Sequence, residues 1–223
     1  MGKIIGYIVL DLQILVGFIS FIISLNLIGR NNIPNYMKGF YWYPTVGLIV
    51  GIPNFINCHF IDDFNFAVQL NNYSLLFHFY FLSNFIIKIT PHKDDFKYLN
   101  LFSYFILVIL ILILFSNNLN KHVYQAFSIS SLGLTILCLI YYFQLFKNIP
   151  TVNLKYEPSF WVITGIFFCM SVIVPTTSMI DYLRNKISHD VLLMIYHIGG
   201  FSYAVMHLFF IKAIICAVRP HKA

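Results

Sequence analysis

Charge is scarce in this chain. Acidic and basic residues together make up only 10% of its 223 residues. A soluble domain carries about a quarter charged residues, so a chain this poor in them cannot dress a water-facing surface. The four cysteines stand singly at positions 58, 138, 169 and 216. They lack the C-x-x-C spacing of metal and redox sites and read as packing residues. There is no glycine-rich phosphate loop, no serine in a nucleophile elbow and no basic stretch interleaved with aromatics. Nucleotide-driven enzymes, serine hydrolases and nucleic-acid binders are thereby set aside. An intramembrane zinc hydrolase needs a histidine pair one turn apart, H-x-x-x-H. His197 and His207 are ten residues apart, which puts them about 80° off a common helix face. No catalytic set, metal site or cofactor is expected. A retinal protein would need a lysine in the middle of its last helix, and Lys212 lies toward that helix's end.

What the chain has in abundance is apolar sequence, 59% of its residues, with a mean hydropathy of +0.79. Runs of roughly 20 apolar residues are the length a bilayer-spanning helix needs. Seven such segments lie near Ile4–Ile28, Tyr41–Asn57, Phe66–Thr90, Leu99–Ser116, His122–Phe146, Phe160–Ile180 and Val191–Cys216. The second is interrupted by Pro44 and Pro53. The first is longer than the core of a cleavable leader, about 7–15 residues, and lacks a small-x-small cleavage site, so it reads as a retained helix. The fold class expected is all-α: a polytopic membrane protein, a seven-transmembrane-helix bundle forming a single domain over residues 1–223, with no soluble domain. Positive residues stay on the cytoplasmic side. Ten of the fourteen lysines and arginines fall on one set of alternate connections, among them Arg30, Lys38, Lys147, Lys155 and Arg219. That places the N-terminus outside and the C-terminus in the cytoplasm. The membrane expected is the cytoplasmic (inner) membrane of a bacterium. The net charge of +6 has its explanation in this topology and in attraction to anionic headgroups.

Function has to come from polar groups that the membrane makes expensive. An ionisable side chain at a helix centre costs about 2.5–3.5 kcal/mol on insertion scales and turns toward a partner or a cavity. The candidates are Asp11, with Gln13 close by, His78 and His207 deeper in the span, and His197 nearer the outer side. Asn71 and His78 are seven residues apart and share a helix face. Asn54, Asn57, Gln69, Asn72, Gln125, Thr176 and Thr177 add polarity at the same end. The expected ligand-binding set is therefore Asp11, Asn72, His78, His197 and His207. In it Asp11, His78 and His197 line an outward-opening pocket for a small molecule or lipid, with His207 at its floor.

The stretch "YYFQLFKNIPTVNLKYEPSFWVITGIFF", Tyr141 to Phe168, closely resembles a pattern in the seven-helix membrane modules attached to certain bacterial sensor histidine kinases. An aromatic-rich helix end is followed by a short cytoplasmic loop, a proline and an F-W pair. "LNNYSLLFHFYFLSNF" (Leu70 to Phe85) and "LLMIYHIGGFSYAVMHLFFIKA" (Leu192 to Ala213) look similar to the same modules, which in their third helix carry a glutamate where His78 stands here. The resemblance implies a sensory or signal-coupling module in stand-alone form, signalling in trans to a cytoplasmic protein. The expected docking residues are Lys155 and Glu157 of that loop together with Arg219. A small seven-helix transporter and a membrane enzyme using Asp11 and the histidines are the alternatives. The transporter needs two parallel repeats, and helices 1–3 do not match helices 5–7.

Overall fold

The computed structural model describes residues 2–30, 33–61, 64–90, 96–117, 123–147, 153–183 and 186–218. Within them lie seven α-helices: α1 (Gly2–Ser24), α2 (Trp42–Ile56), α3 (Phe64–Ile89), α4 (Phe96–Ser116), α5 (Tyr124–Lys147), α6 (Pro158–Leu183) and α7 (His189–Val218). No strand occurs among the described residues. Six helical stretches are long and apolar enough to cross a membrane: α1, α2 with its flanking turns, and α4 to α7. This is a multi-pass membrane protein. The surface agrees, for large apolar side chains are exposed along helix after helix, Ile8 and Leu15 on α1, Leu101, Phe105 and Leu112 on α4, and Phe143 on α5 among them. In water such faces would form apolar patches far beyond those a soluble monomer tolerates; in lipid they are the favourable surface.

Side-chain pairings fix the direction of the helices. Asp11 near the start of α1 meets His59 just past the end of α2, and Asn54 late in α2 meets Asn71 early in α3. Ser83 late in α3 bonds Ser103 early in α4, while Ser128 and Tyr142 of α5 pair with Thr177 and Thr164 of α6 in reversed order. Neighbours in sequence are thus antiparallel. The last helix closes the ring by packing on both α6 and α1. A Cβ built on Gly200 of α7 would touch Val9, and one on Gly17 of α1 would lie near His207, so α1 and α7 run parallel. The bundle has two ends. One gathers the connections from α2 to α3 and from α6 to α7; the other gathers those from α1 to α2 and from α5 to α6.

Local chemistry sets the breaks. Gly29, at φ +74°, turns the chain after α1 in the left-handed region that favours glycine. Pro158 opens α6, where its missing N–H costs nothing. Pro53 sits inside α2 and removes the donor that the carbonyl of Ile49 would use; the helix then loosens into a π-turn at Asn57–Ile61. Arg30 to Phe40 reads in the sequence as a cytoplasmic loop, yet its apolar members enter the core: Met37 and Phe40 are fully buried and Ile33 nearly so. Their spacing of four and three residues puts them on one face even though only a short 3-10 turn forms there.

Candidate functional site

At the heart of the bundle three helices contribute one cluster. Tyr43, in the first turn of α2, is fully buried. Its hydroxyl lies 2.8 Å from Nδ1 of His78 on α3. The two rings meet edge to face at 5.2 Å. His207 of α7 also packs on Tyr43, its ring centroid 6.2 Å away, and Tyr203 of α7 lies 6.3 Å from His78. In the neutral imidazole one nitrogen donates and the other accepts, so Tyr43 either donates to Nδ1 or accepts from it. In low-dielectric surroundings that single hydrogen bond is a constraint worth keeping, because either group alone would be an unsatisfied polar atom.

Below the cluster a row of aromatic rings runs through the core, packed among aliphatic side chains such as Met37, Leu82 and Ile86. Tyr43 stacks near Phe40 at 6.3 Å and meets Phe210 edge-on at 5.4 Å. Phe40 contacts Phe210 and Phe85, each at 5.1 Å, and Phe85 meets Tyr36 at 6.2 Å. The row ends in a carboxylate. The Tyr36 hydroxyl donates to Glu157 Oε1 at 2.6 Å, and Ser159 Oγ donates to the same oxygen at 2.9 Å. Ser159 is itself 3.1 Å from the hydroxyl of Tyr141 on α5. A hydrogen bond this short from a phenol to a carboxylate is of the stronger, charge-assisted kind. The turn carrying Glu157 is held elsewhere too. Asn153 caps it by accepting from the backbone N–H of Lys155 at 3.1 Å. Trp161 Nε1 donates to the Lys155 carbonyl at 2.9 Å, and Lys212 of α7 places its ammonium 5.6 Å from the Trp161 ring.

The residues expected to share one pocket are distributed over several levels. His78 and His207 come together around Tyr43. Asp11 is half exposed and its carboxylate lies 3.3 Å from His59 Nε2, a polar contact between α1 and the π-turn, away from the cluster. Asn72 is fully buried on α3. Its neighbour Asn71 accepts from Asn54 at 3.0 Å, so Asn71 and His78 both turn toward α2. His197, half-buried, is ten residues before His207, about 15 Å along α7. At the other end Lys155 is exposed, Glu157 is engaged by Tyr36 and Ser159, and Arg219 lies outside the described residues. Tyr36, Tyr43 and His59 were not singled out by the sequence. Tyr36 and Tyr43 sit among other aromatics with nothing in their spacing to mark them, and His59 falls in a turn whose π geometry follows from Pro53. Among the described residues no group of three or more His, Cys, Asp and Glu side chains is placed to hold a metal ion.

The chain matches no protein-family model, no curated protein and no solved structure.

Proposed function

We propose that this protein is a bacterial membrane sensor: a seven-helix module in the cytoplasmic membrane that registers a small molecule or lipid in its interior and passes the change to a separate cytoplasmic protein. The observation that carries this reading is the continuous row from His78 and His207 through Tyr43, Phe40, Phe85 and Tyr36 to Glu157. A shift of α3 at the imidazoles can reach the turn before α6 through these packed rings, and one of α7 also through Lys212 beside Trp161 and Cys216 beside the Lys155 carbonyl; packed interiors switch between discrete arrangements rather than deforming smoothly. The exposed edge of that turn, Lys155 and Tyr156, is what a partner would read. The aromatic floor supports a one-sided site over a solute pathway. The reading includes a crossing by α3, whose 26 residues extend about 39 Å, enough for a hydrocarbon core of about 30 Å.

The test is photo-crosslinking in native membranes from a benzophenone amino acid at Tyr156, with and without Tyr36→Phe. One cytoplasmic protein is expected in the adduct, at a yield that Tyr36→Phe changes. Adducts only with lipid or with other membrane-embedded chains, together with solute flux in proteoliposomes, would replace the sensor by the transporter.

A further inference from the structure

We infer that the α1–α7 seam beside His207 is a binding site for a neutral, membrane-soluble molecule bearing a hydroxyl group. Three observations meet there. His207 is only 7% exposed, and its Nδ1 has no hydrogen-bond partner. Ser20 on α1 is fully buried, and its hydroxyl is likewise unpartnered. Gly17, buried on the same side of α1 and one turn before Ser20, faces the His207 ring on its Nε2 edge.

The packing at Gly17 is unlike that at the other buried glycines. A Cβ added at Gly133 would lie 2.6 Å from Ile106, and one at Gly165 would lie 2.8 Å from Phe209, so those helices are in close contact. At Gly17 the one described atom within 4 Å of such a Cβ is His207 Nε2, at 3.9 Å. The seam is therefore tight enough to exclude bulk solvent and loose enough beside the imidazole for a small group.

The chemistry selects the guest. A hydroxyl both donates and accepts, so it satisfies Ser20 Oγ and His207 Nδ1 whichever tautomer the ring holds. Without such a partner each atom is left unsatisfied in a membrane interior, where no water can replace the missing bond. Charge is disfavoured: the rings packed against the imidazole, Tyr43 and Phe210, are neutral, His78, the other partner of Tyr43, is a second imidazole and not a counter-charge, and Asp11 is engaged with His59. Phe18 and Ile19 of α1 and Leu208 of α7 are exposed apolar residues next to these positions, so an alkyl tail can continue into lipid. The class is an alcohol or phenol with an apolar body. The inference names the ligand class for the sensor proposed above and rests on that reading only for its purpose.

The experiment uses the full chain in phosphatidylcholine nanodiscs, a diazirine-bearing octanol, and the matching diazirine alkane without the hydroxyl. The alkanol is expected to label residues of the Gly17–Ser20 turn and the Tyr203–His207 turn at least about fivefold over the alkane, the ratio one hydrogen bond supplies. Ser20→Ala and His207→Phe should each lower that ratio to near one. Gly17→Ala, whose methyl meets only ordinary contact, folds and should block the alkanol by occupying the space. Equal labelling by both probes, or alkanol labelling unchanged in Ser20→Ala and Gly17→Ala, overturns the site. Hydroxyl-dependent labelling without a cytoplasmic adduct at Tyr156 removes the sensor reading alone; the reverse pattern removes this site alone.

Discussion

A buried hydroxyl and a histidine at 2.8 Å are worth less as a bond than they cost when separated. Tyr43→Phe strands His78 Nδ1 in the interior and is expected to destabilise the bundle by about 1–3 kcal/mol, the penalty for an unsatisfied buried group. Adding His78→Phe removes the orphan, so the double variant should lose less than the sum of the singles. Unfolding by SDS titration from mixed micelles measures all three, and strict additivity would show that the hydrogen bond carries no coupling. The same pair marks where the sequence could and could not be read. His78 stood out because an imidazole in an apolar helix is costly. Tyr43 did not, because the chain contains 15 tyrosines and a phenol becomes informative only when its fold neighbours are known. Asp11 stood out for the same reason as His78, but its half-exposed position facing His59 lets that imidazole satisfy it locally, so its cost in the sequence did not translate into membership of the central cluster.

At the level of helices the sequence was far more legible. Apolar runs of spanning length located all seven within a few residues, and Pro158 marked the start of α6. Two features stayed hidden. The turn from Arg30 to Phe40 is polar enough to read as a loop, but Met37 and Phe40 are drawn into the core by contacts made elsewhere. Pro53 marks α2 as interrupted, but a proline alone does not say that the helix continues as a π-turn over Asn57–Ile61. Helix packing itself yields a prediction. A methyl at Gly165 would press to 2.8 Å on Cβ of Phe209 and to 3.2 Å on the Met206 carbonyl, atoms close to or in the α7 backbone. At Gly133 the closest clash is with Cδ1 of Ile106, the far end of a side chain that can rotate. Gly165→Ala should therefore cost about 1–3 kcal/mol, as overpacking does. Gly133→Ala should cost less, with the better helix propensity of alanine offsetting part of it by about 1 kcal/mol. Equal losses in the same SDS titration would mean that α6 and α7 can move apart freely. The turn before α6 gives a second test. Tyr36→Phe removes the phenol that holds Glu157, so limited trypsin digestion at exposed Lys155 should quicken while cleavage at Lys186 stays unchanged. An unchanged rate at Lys155 would mean that Asn153 and Trp161 hold the turn without the carboxylate.

For the molecule as a whole the open quantity is which end faces the cytoplasm. Among the described residues Arg30, Lys38, Lys88, Lys97, Lys147 and Lys155 lie at or beyond helix ends on one side of the bundle, with Lys212 in the last turns of α7, whereas Lys3 and Lys186 stand on the other. Helices with this distribution are oriented by retention of the positive end. The same end holds Glu157 and the exposed turn that the proposed partner would read, so topology and signalling stand or fall together. The opposite end carries the amide pair Asn54 and Asn71 and the contact of Asp11 with His59. A reporter fused after Ala223 is expected to be active only as a cytoplasmic fusion, such as a fluorescent protein that folds there, and silent as alkaline phosphatase. A second phosphatase fusion, placed in the connection between α6 and α7, should be active in the periplasm. Because a single α3 crossing sets the parity of everything after it, a phosphatase-active C-terminus paired with a cytoplasmic connection between α1 and α2 would mean that α3 does not span. Six crossings in place of seven would then put Glu157 and its turn outside, out of reach of any cytoplasmic partner.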